Sequence, residues 1–317
     1  MNPVRYLSDT SFITGLVLAA IFGMAHSARA ASTLDIVVPF SAGGATDIVA
    51  RGLAPGFSDA LGVDAVIRNM PGASATLGTI ELARSAGNES IVEYVPAGAL
   101  SIQPTLKKLP YQFDSFRYIC RTVSNPMYLM VSKSSDIKTF QELVEKSKKK
   151  SLLYGSSGPG TLPHLAMAAI VVNSDLDARH IPYKGTGAAM NALAGDEIQV
   201  VAGTNTILEN YDLRPLAILA PKRDARRNSV PTAEELNLGN LDFSVWQGLI
   251  APAGISEKRF EQYVEACRQA IRKPSFKEFA ERSNVDIAYS GPEAFKRFVE
   301  KRYKDNKAVL EKSGLIE

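Results

Sequence analysis

Three segments of this chain bring glycines, hydroxyls and one acid to the point where a β-type run turns into an apolar helix. The first runs from Ile36 through Val38-Pro39-Phe40-Ser41-Ala42-Gly43-Gly44-Ala45-Thr46-Asp47. The second is Leu152-Leu153-Tyr154-Gly155-Ser156-Ser157-Gly158-Pro159-Gly160-Thr161, and the third is Ile181-Pro182-Tyr183-Lys184-Gly185-Thr186-Gly187. A glycine turn at the start of a helix offers unpaired backbone N–H groups at the positive end of the helix dipole. Such ends bind anions without a charged side chain, and several converging on one cleft would grip a small carboxylate. Glycines at strand–helix turns also serve purely conformational needs, so the weight falls on all three turns together with their Ser, Thr and Asp residues. Gly43 and Gly44 have no side chain to offer. A Cβ at Gly44 is expected to clash with a ligand or to push the turn out of a positive-φ conformation.

Other chemistry finds little support. There is no G-x-S-x-G elbow and no G-x-x-x-x-G-K-[ST] phosphate loop, and Gly185-Thr186-Gly187 lacks the third glycine of a dinucleotide fingerprint. Beyond residue 30 only His164 and His180 remain, and no carboxylate spacing completes a metal site around them. Ser156 or Ser157 with His164 as base is the nearest approach to a catalytic set. His164 reads better as a helix residue near a cleft. The chain is expected to bind and not to catalyse, with no cofactor and no metal.

The elements that must position these turns begin after a leader. Arg5 precedes an uncharged apolar run from Phe12 to Ala25, too short to span a bilayer comfortably, and Ala28-Arg29-Ala30 supplies the small residues a signal peptidase reads. Cleavage is expected after Ala30, exporting the protein to an oxidising compartment. Removing thirty residues leaves 287, enough for two domains. Loss of Arg5, Arg29 and Asp9 lowers the formal charge from +3 to +2, which is no footprint of a nucleic-acid partner. We read Cys120 and Cys267 as two small buried hydrophobes, a bridge being the alternative that export permits.

Strand and helix signals then alternate, as in an α/β fold. Strands are expected over 34–40, 63–67, 90–95, 128–131, 198–202, 216–219 and 248–252, besides those that open the second and third turns. Asp47 can cap the first helix, which Pro55-Gly56 is expected to bend or split. Thr161 is a good N-cap ahead of Pro163, and Ser256 caps a later helix. Ser290-x-x-Glu293 has capping-box spacing and opens the last helix, with Gly314 as its stop. The basic run at Lys146, Lys148, Lys149 and Lys150 reads as a solvated helix end.

Val38-Pro39-Phe40-Ser41-Ala42-Gly43-Gly44-x-x-Asp47 resembles the opening of the Bug family, the periplasmic solute-binding proteins of tripartite tricarboxylate transporters. Asn69-x-Pro71-Gly72-Ala73, Tyr154-x-Ser156-Ser157-Gly158-x-Gly160-Thr161-x-x-His164, Pro182-Tyr183-Lys184-Gly185, Leu213-Arg214-x-Leu216-Ala217, Val230-Pro231-Thr232 and Gly248-Leu249-x-Ala251-Pro252-Ala253-Gly254 follow in that family's order. Each is weak alone; the ordered set spans essentially the whole mature chain. The chain departs from the pattern at 86–90, where Pro-Asp-Gly-Tyr is usual, and at Ala202-Gly203, where Phe-Asp is usual, leaving Thr204 as a candidate contact.

The resemblance implies a two-lobed type II periplasmic-binding-protein fold, a Venus flytrap with mainly parallel sheets flanked by helices. Lobe 1 would comprise 31–127 and 246–317 and lobe 2 would comprise 128–245, with hinges near Asn125 and Trp246. Trp246, the only tryptophan, reads as packing beside the hinge and not as a ligand wall. The ligand would meet Phe40, Ser41, Ala42, Gly43, Gly44, Thr46 and Asp47 from one lobe. From the other it would meet Ser156, Ser157, Gly160, Thr161, Lys184, Gly185, Thr186 and Gly187, with ordered water helping. The implied role is capture of a small organic acid by a monomer and its delivery to a membrane permease with one large and one small subunit. A sensory binder feeding a signalling receptor would use the same pocket.

Overall fold

The computed structural model describes residues 33–183 and 186–316. The leader with its expected cleavage point, and Lys184 and Gly185 of the third turn, lie outside the described residues. Ten strands carry the fold: β1 (Thr33–Val38), β2 (Asp64–Asn69), β3 (Ile91–Pro96), β4 (Phe116–Ser132), β5 (Leu152–Ser156), β6 (Ala178–Pro182), β7 (Val200–Thr204), β8 (Leu213–Leu219), β9 (Ser244–Pro252) and β10 (Ile287–Ser290). They run in the order β2-β1-β3-β9-β4-β7-β5-β6, with β10 and β8 also paired to β4. The outer strands pair in parallel, β1 with β2 and β3, and β5 with β6 and β7. Around β4 and β9 the pairing is antiparallel, a feature that alternation of strands and helices does not reveal. Helices flank the strands, and both faces of β1 are covered. Leu34, Ile36 and Val38 pack into one apolar cluster and Val37 into another, which is why β1 reads as a nearly continuous apolar run. Among the described residues no helix is long and apolar enough to cross a membrane.

The 17-residue β4 is the spine of the molecule. Only Tyr128–Val131 is legible as strand, because Asn125-Pro126 looks like a boundary. Pro126 instead marks a change of partner. Residues from Phe116 to Pro126 pair with β9, and Met127 onward pairs with β7 and β8. Proline has no N–H to give to a ladder, so pairing on one side ends there while the strand runs on. Trp246 on β9 is buried edge-on against Phe295 and Phe298, at 5.6 and 5.7 Å between ring centres.

Three local expectations are corrected. Helix Ala45–Leu61 continues through Pro55 without a break. Pro55 is exposed, while its neighbour Gly56 sits where this helix meets helix Glu257–Arg272, and a Cβ on Gly56 would stand 3.0 Å from the Ala270 backbone. Tertiary packing there outweighs the cost of about 3 kcal/mol for an interior proline. Cys120 and Cys267 are buried but not separate. They form a disulfide across Cα atoms 6.6 Å apart, tying β4 to helix Glu257–Arg272. Ser290 does not cap the last helix. It ends β10, and Gly291 is the N-cap of helix Pro292–Lys312, because Pro292 takes the first helical position. Ser256 does cap, accepting from the Arg259 N–H at 3.3 Å. Gly314, at φ 65°, ends the last helix as expected.

Candidate functional site

Register alone brings the turns together. Pro96, at the C-terminal end of β3, pairs with Gln247 of β9, which pairs with Val123 of β4. Thr204, at the C-terminal end of β7, pairs with Met127 of β4. Because β1 and β2 run parallel to β3, and β5 and β6 parallel to β7, two sets of strand ends approach the same stretch of β4, residues 123–127, from opposite sides. The first glycine turn follows β1; the second and third follow β5 and β6. One contact crosses directly. Gln103, in the helical segment after β3, donates Nε2 to the Gly160 carbonyl at 2.9 Å.

The first turn is organised by a buried acid. Asp47 is 1 % exposed and stands at the third helical position, with Gly44 as the N-cap, so the expectation that Asp47 caps the helix is corrected. Its Oδ2 accepts from the Gly43 N–H and from Arg51 Nε, each at 2.8 Å, and its Oδ1 accepts from Asn69 Nδ2 at 2.8 Å. Asn69 Nδ2 also reaches the Phe40 carbonyl at 2.9 Å, and its Oδ1 accepts from Arg51 Nη2 at 3.2 Å. Burial works against the Asp47 charge, but the bonds from Arg51, Gly43 and Asn69 hold its carboxyl below the usual carboxylate value. The Gly44 N–H donates to the Ser41 carbonyl at 3.3 Å. The two glycine amides are therefore not free for an anion, contrary to expectation. Gly44 has φ −76°, in the extended region, and the positive φ of 78° belongs to Gly43. The groups left to a ligand are the exposed Ser41 and Ala42 and the first helical N–H groups at Ala45 and Thr46. The Thr46 hydroxyl is buried and accepts from Gln247 Nε2 at 3.1 Å.

The second turn is organised by neutral groups. Ser156 is 2 % exposed, and its Oγ lies 2.7 Å from His180 Nε2 and 3.0 Å from the Gly158 carbonyl. The Gly158 N–H returns to Ser156 Oγ at 3.2 Å, and Thr161 Oγ1 donates to the Gly158 carbonyl at 2.8 Å. The Gly160 N–H donates to His164 Nδ1 at 3.1 Å, which puts the proton of a neutral ring on Nε2. His164 and His180 stack with ring centres 4.0 Å apart, and Tyr154 stacks on His180 at 5.1 Å. Burial lowers the pKa of His164; burial, then the neighbouring His164, pushes His180 down to about 4. His164 does not face a serine as a base would; His180 does, and it fixes a buried hydroxyl in the turn. Thr161 is the N-cap of helix Leu162–Val172 by position, without a side-chain capping bond, because its hydroxyl is spent inside the turn. Ser157 is half-buried beside it.

Of the third turn, Thr186 and Gly187 are exposed at the start of helix Thr186–Ala194. Thr204 is buried at the end of β7. Residues outside the expected set support the turns. Asn69 and Arg51 hold the first turn, His180 holds the second, and three buried amides lie in the same region, Gln103 in the helical segment beyond β3, Gln247 within β9 and Asn205 directly after β7. Asn69 was within reach of sequence reasoning, as part of Asn69-x-Pro71-Gly72-Ala73. The amides carry no local signal, because their place depends on register across β4.

A family profile described as "Tripartite tricarboxylate transporter family receptor" matches residues 49–315. A Cupriavidus necator protein, "UPF0065 protein in gbd 5'region", is 32 % identical over 287 residues, covering 89 % of this chain and 88 % of that one. The structure of the periplasmic binding protein BugD superposes with a TM-score of 0.81 at 28 % identity, covering 89 % of this chain and 97 % of its own. MatC from Rhodopseudomonas palustris, with bound malate, has the same fold, with a TM-score of 0.79 at 24 % identity and coverage of 88 % and 98 %.

Proposed function

This chain belongs to the tripartite tricarboxylate transporter receptor family, and on that premise we propose that it captures a small organic acid between two lobes and hands it to a membrane permease. Members of this family are periplasmic solute-binding receptors and not enzymes. The observation that carries the proposal is the convergence of two sets of strand ends, each bearing a glycine turn, on residues 123–127 of β4. The lobes would be 31–127 with 246–317, and 128–245, and the change of partner at Pro126 is the natural hinge on β4. The acid would lie against Ser41, Ala42 and the first N–H groups of helix Ala45–Leu61 on one side, with Ser157, Thr161 and the third turn, including Lys184, on the other. Malate in MatC is an instance of the ligand chemistry proposed, a small carboxylate held by this fold. The mature protein would begin at Ala31 in the periplasm and act as a monomer; N-terminal sequencing of exported protein checks the cleavage.

The test is a thermal-shift screen of the mature protein against mono-, di- and tricarboxylates, with amines of matched size as controls. A ligand at 100 times its Kd stabilises by about 2.7 kcal/mol. The expected result is a clear rise in Tm with at least one acid. No shift with any acid, or shifts with amines alone, would sink the proposal.

A further inference from the structure

A chain of hydrogen bonds runs across the place where β4 changes partners. Before Pro126, Asn125 is buried, and its Oδ1 accepts from the Asp286 N–H at 2.7 Å. The Asp286 carbonyl accepts from the Ser124 N–H at 3.0 Å, and the next residue, Ile287, opens β10 opposite Val123 of β4. Asp286 is thereby fixed to the half of β4 that pairs with β9. After Pro126, the hydroxyl of the buried Tyr128 donates to Asp224 Oδ2 at 2.5 Å. Tyr128 pairs with Gly203 of β7 and Ile218 of β8, and Asp224 follows β8 in the chain. Asp224 is thereby fixed to the other half.

Arg226 closes the chain. Its Nη1 and Nη2 each reach one oxygen of Asp286 at 2.9 Å, a two-point fork. Its Nε lies 3.0 and 3.1 Å from the two oxygens of Asp224, and its backbone N–H donates to Asp224 Oδ1 at 2.9 Å. A guanidinium is planar and its donors have fixed directions, so it serves both acids at one separation only. A turn of one half of β4 against the other at Pro126 must therefore pull Asp286 away from Arg226. Arg302 and Asp242 are also paired, but that contact does not cross the bend. Arg302 stands on helix Pro292–Lys312, whose Phe295 and Phe298 pack against Tyr118 and Arg121 of the first half of β4. Asp242 lies just before β9, which pairs with that same half. Beside the fork, Thr206 Oγ1 makes only long neutral contacts, 3.4 Å to the carbonyls of Ser283 and Asn284.

We propose that Arg226 is a latch across the hinge. It holds the two lobes at one angle, and its release from Asp286 lets them turn. The proposal rests on the two-lobed reading and adds to it the side chain that sets the angle. The fork is partly wet, with Arg226 42 % and Asp286 34 % exposed, so it is weaker than a buried pair and can open without unfolding the chain. Asp224, at 8 % exposure, is the fixed end, and Asp286 is the end that lets go.

The test is the distribution of distances between two spin labels in the mature protein, read by double electron–electron resonance. Glu278→Cys on helix Pro274–Arg282 and Lys149→Cys on helix Phe140–Lys149 place one label at an exposed position of each lobe. Cys120 and Cys267 are held in their buried disulfide and take no label. Arg226→Gln leaves Asp224 the Tyr128 hydroxyl and a backbone N–H, and Asp286→Ala keeps the backbone bond to Asn125. Each is expected to raise the share of distances outside the wild-type peak about fivefold or more. The double variant is expected to match the single ones, because all three lose the same fork. Arg268→Gln breaks an exposed pair with Glu265 inside one helix and is expected to leave the distribution as in wild type. Unchanged distances in the single variants, effects that add in the double variant, or equal broadening by Arg268→Gln would each overturn the latch. If Arg226→Gln fails to fold by circular dichroism, Asp286→Ala decides the matter. The ligand screen stands apart from this outcome: binding of no acid overturns the receptor reading and leaves the latch to the distances, and unchanged distances leave the receptor reading in place.

Discussion

The first and second glycine turns do the same backbone task by opposite electrostatics. In the first, a buried carboxylate gathers the Gly43 amide, Asn69 and Arg51 around one charge. In the second, Ser156, Thr161 and two stacked imidazoles gather the Gly158 and Gly160 backbone with no charge at all. The difference teaches that a glycine-rich turn is not by itself a cradle of free amides. In both turns glycine N–H groups are consumed in shaping the turn, and what remains for a ligand lies just beyond, in the first helical residues and in side chains. It also predicts that the two turns fail under different insults.

The largest effect is expected at Gly160. Its φ of 67° disfavours any side chain, and a Cβ would stand 2.2 Å from Leu106 Cδ1 and 3.1 Å from Gln103 Nε2. Gly160→Ala is expected to cost about 2–3 kcal/mol in urea denaturation and to weaken acid binding at least tenfold. Gly43→Ala has the same backbone problem at φ 78° but open space around it, and is expected to cost about 1 kcal/mol. Equal costs would show that the second turn is not packed across the cleft as described.

Next is Asp47→Asn. An amide cannot accept on both sides, so either the Gly43 N–H with Arg51 or the Asn69 amide loses its acceptor. The expected loss is about 1.5–3 kcal/mol, the range for hydrogen bonds to a charged group. Ser156→Ala, in the neutral turn, is expected to cost about 1 kcal/mol. If the order were reversed in chemical denaturation, the charge at the first turn would have no special weight.

How much of this could be read from the sequence divides along the same line. Pattern along the chain gave away β1, the glycine turns, the helix starting near Ala45 and the cap at Ser256, because each depends on neighbours a few residues apart. Most of the departures involve partners far away, whereas Ser290 loses its capping place to a neighbour, Pro292. Pro55 looks like a break until Ala270 is packed beside Gly56. Pro126 looks like an end until β9 and β7 are seen to share β4. Asp47 looks like a cap until Asn69 and the Gly43 amide claim its oxygens. His180, one strand away from Ser156, and Gln103, 57 residues from Gly160, had no spacing to betray them. The turns were legible; their tenants were not.

Acid should separate the two turns. His180 is held with a folded pKa of about 4 against an ordinary value near 6.5, so it favours the neutral form. The unfolded chain then binds more protons between those values, and stability falls as pH drops from about 6.5 to 4. With allowance for its partial exposure the loss is about 1–3 kcal/mol. Asp47 has a lowered pKa, so its contribution is intact above the ordinary carboxylate range and is lost only as pH falls through its own lower value. The second turn thus weakens first and the first turn later. Denaturation midpoints in His180→Asn should lose most of the slope between pH 6.5 and 4, and an unchanged slope would assign that slope to other groups.

The smallest effect is expected from Arg51, and its value lies in salt. Arg51 stands half in solvent while its partner Asp47 is buried, so the pair sits where screening matters. Asp47 keeps the Gly43 amide and Asn69 when Arg51 is replaced, so its charge remains partly satisfied. Arg51→Gln is therefore expected to cost only a small fraction of what Asp47→Asn costs. That fraction should shrink as salt rises from 0.15 M to 1 M, where the Debye length falls from about 8 Å to about 3 Å. Ser156→Ala removes neutral hydrogen bonds and should cost the same at both salt concentrations. The measurement is urea denaturation of wild type and the three variants at each salt concentration. A cost for Arg51→Gln that ignores salt, or one as large as that of Asp47→Asn, would mean that Arg51 holds the first turn by packing along its side chain and not by charge, and the contrast between a charged and a neutral turn would lose its electrostatic half.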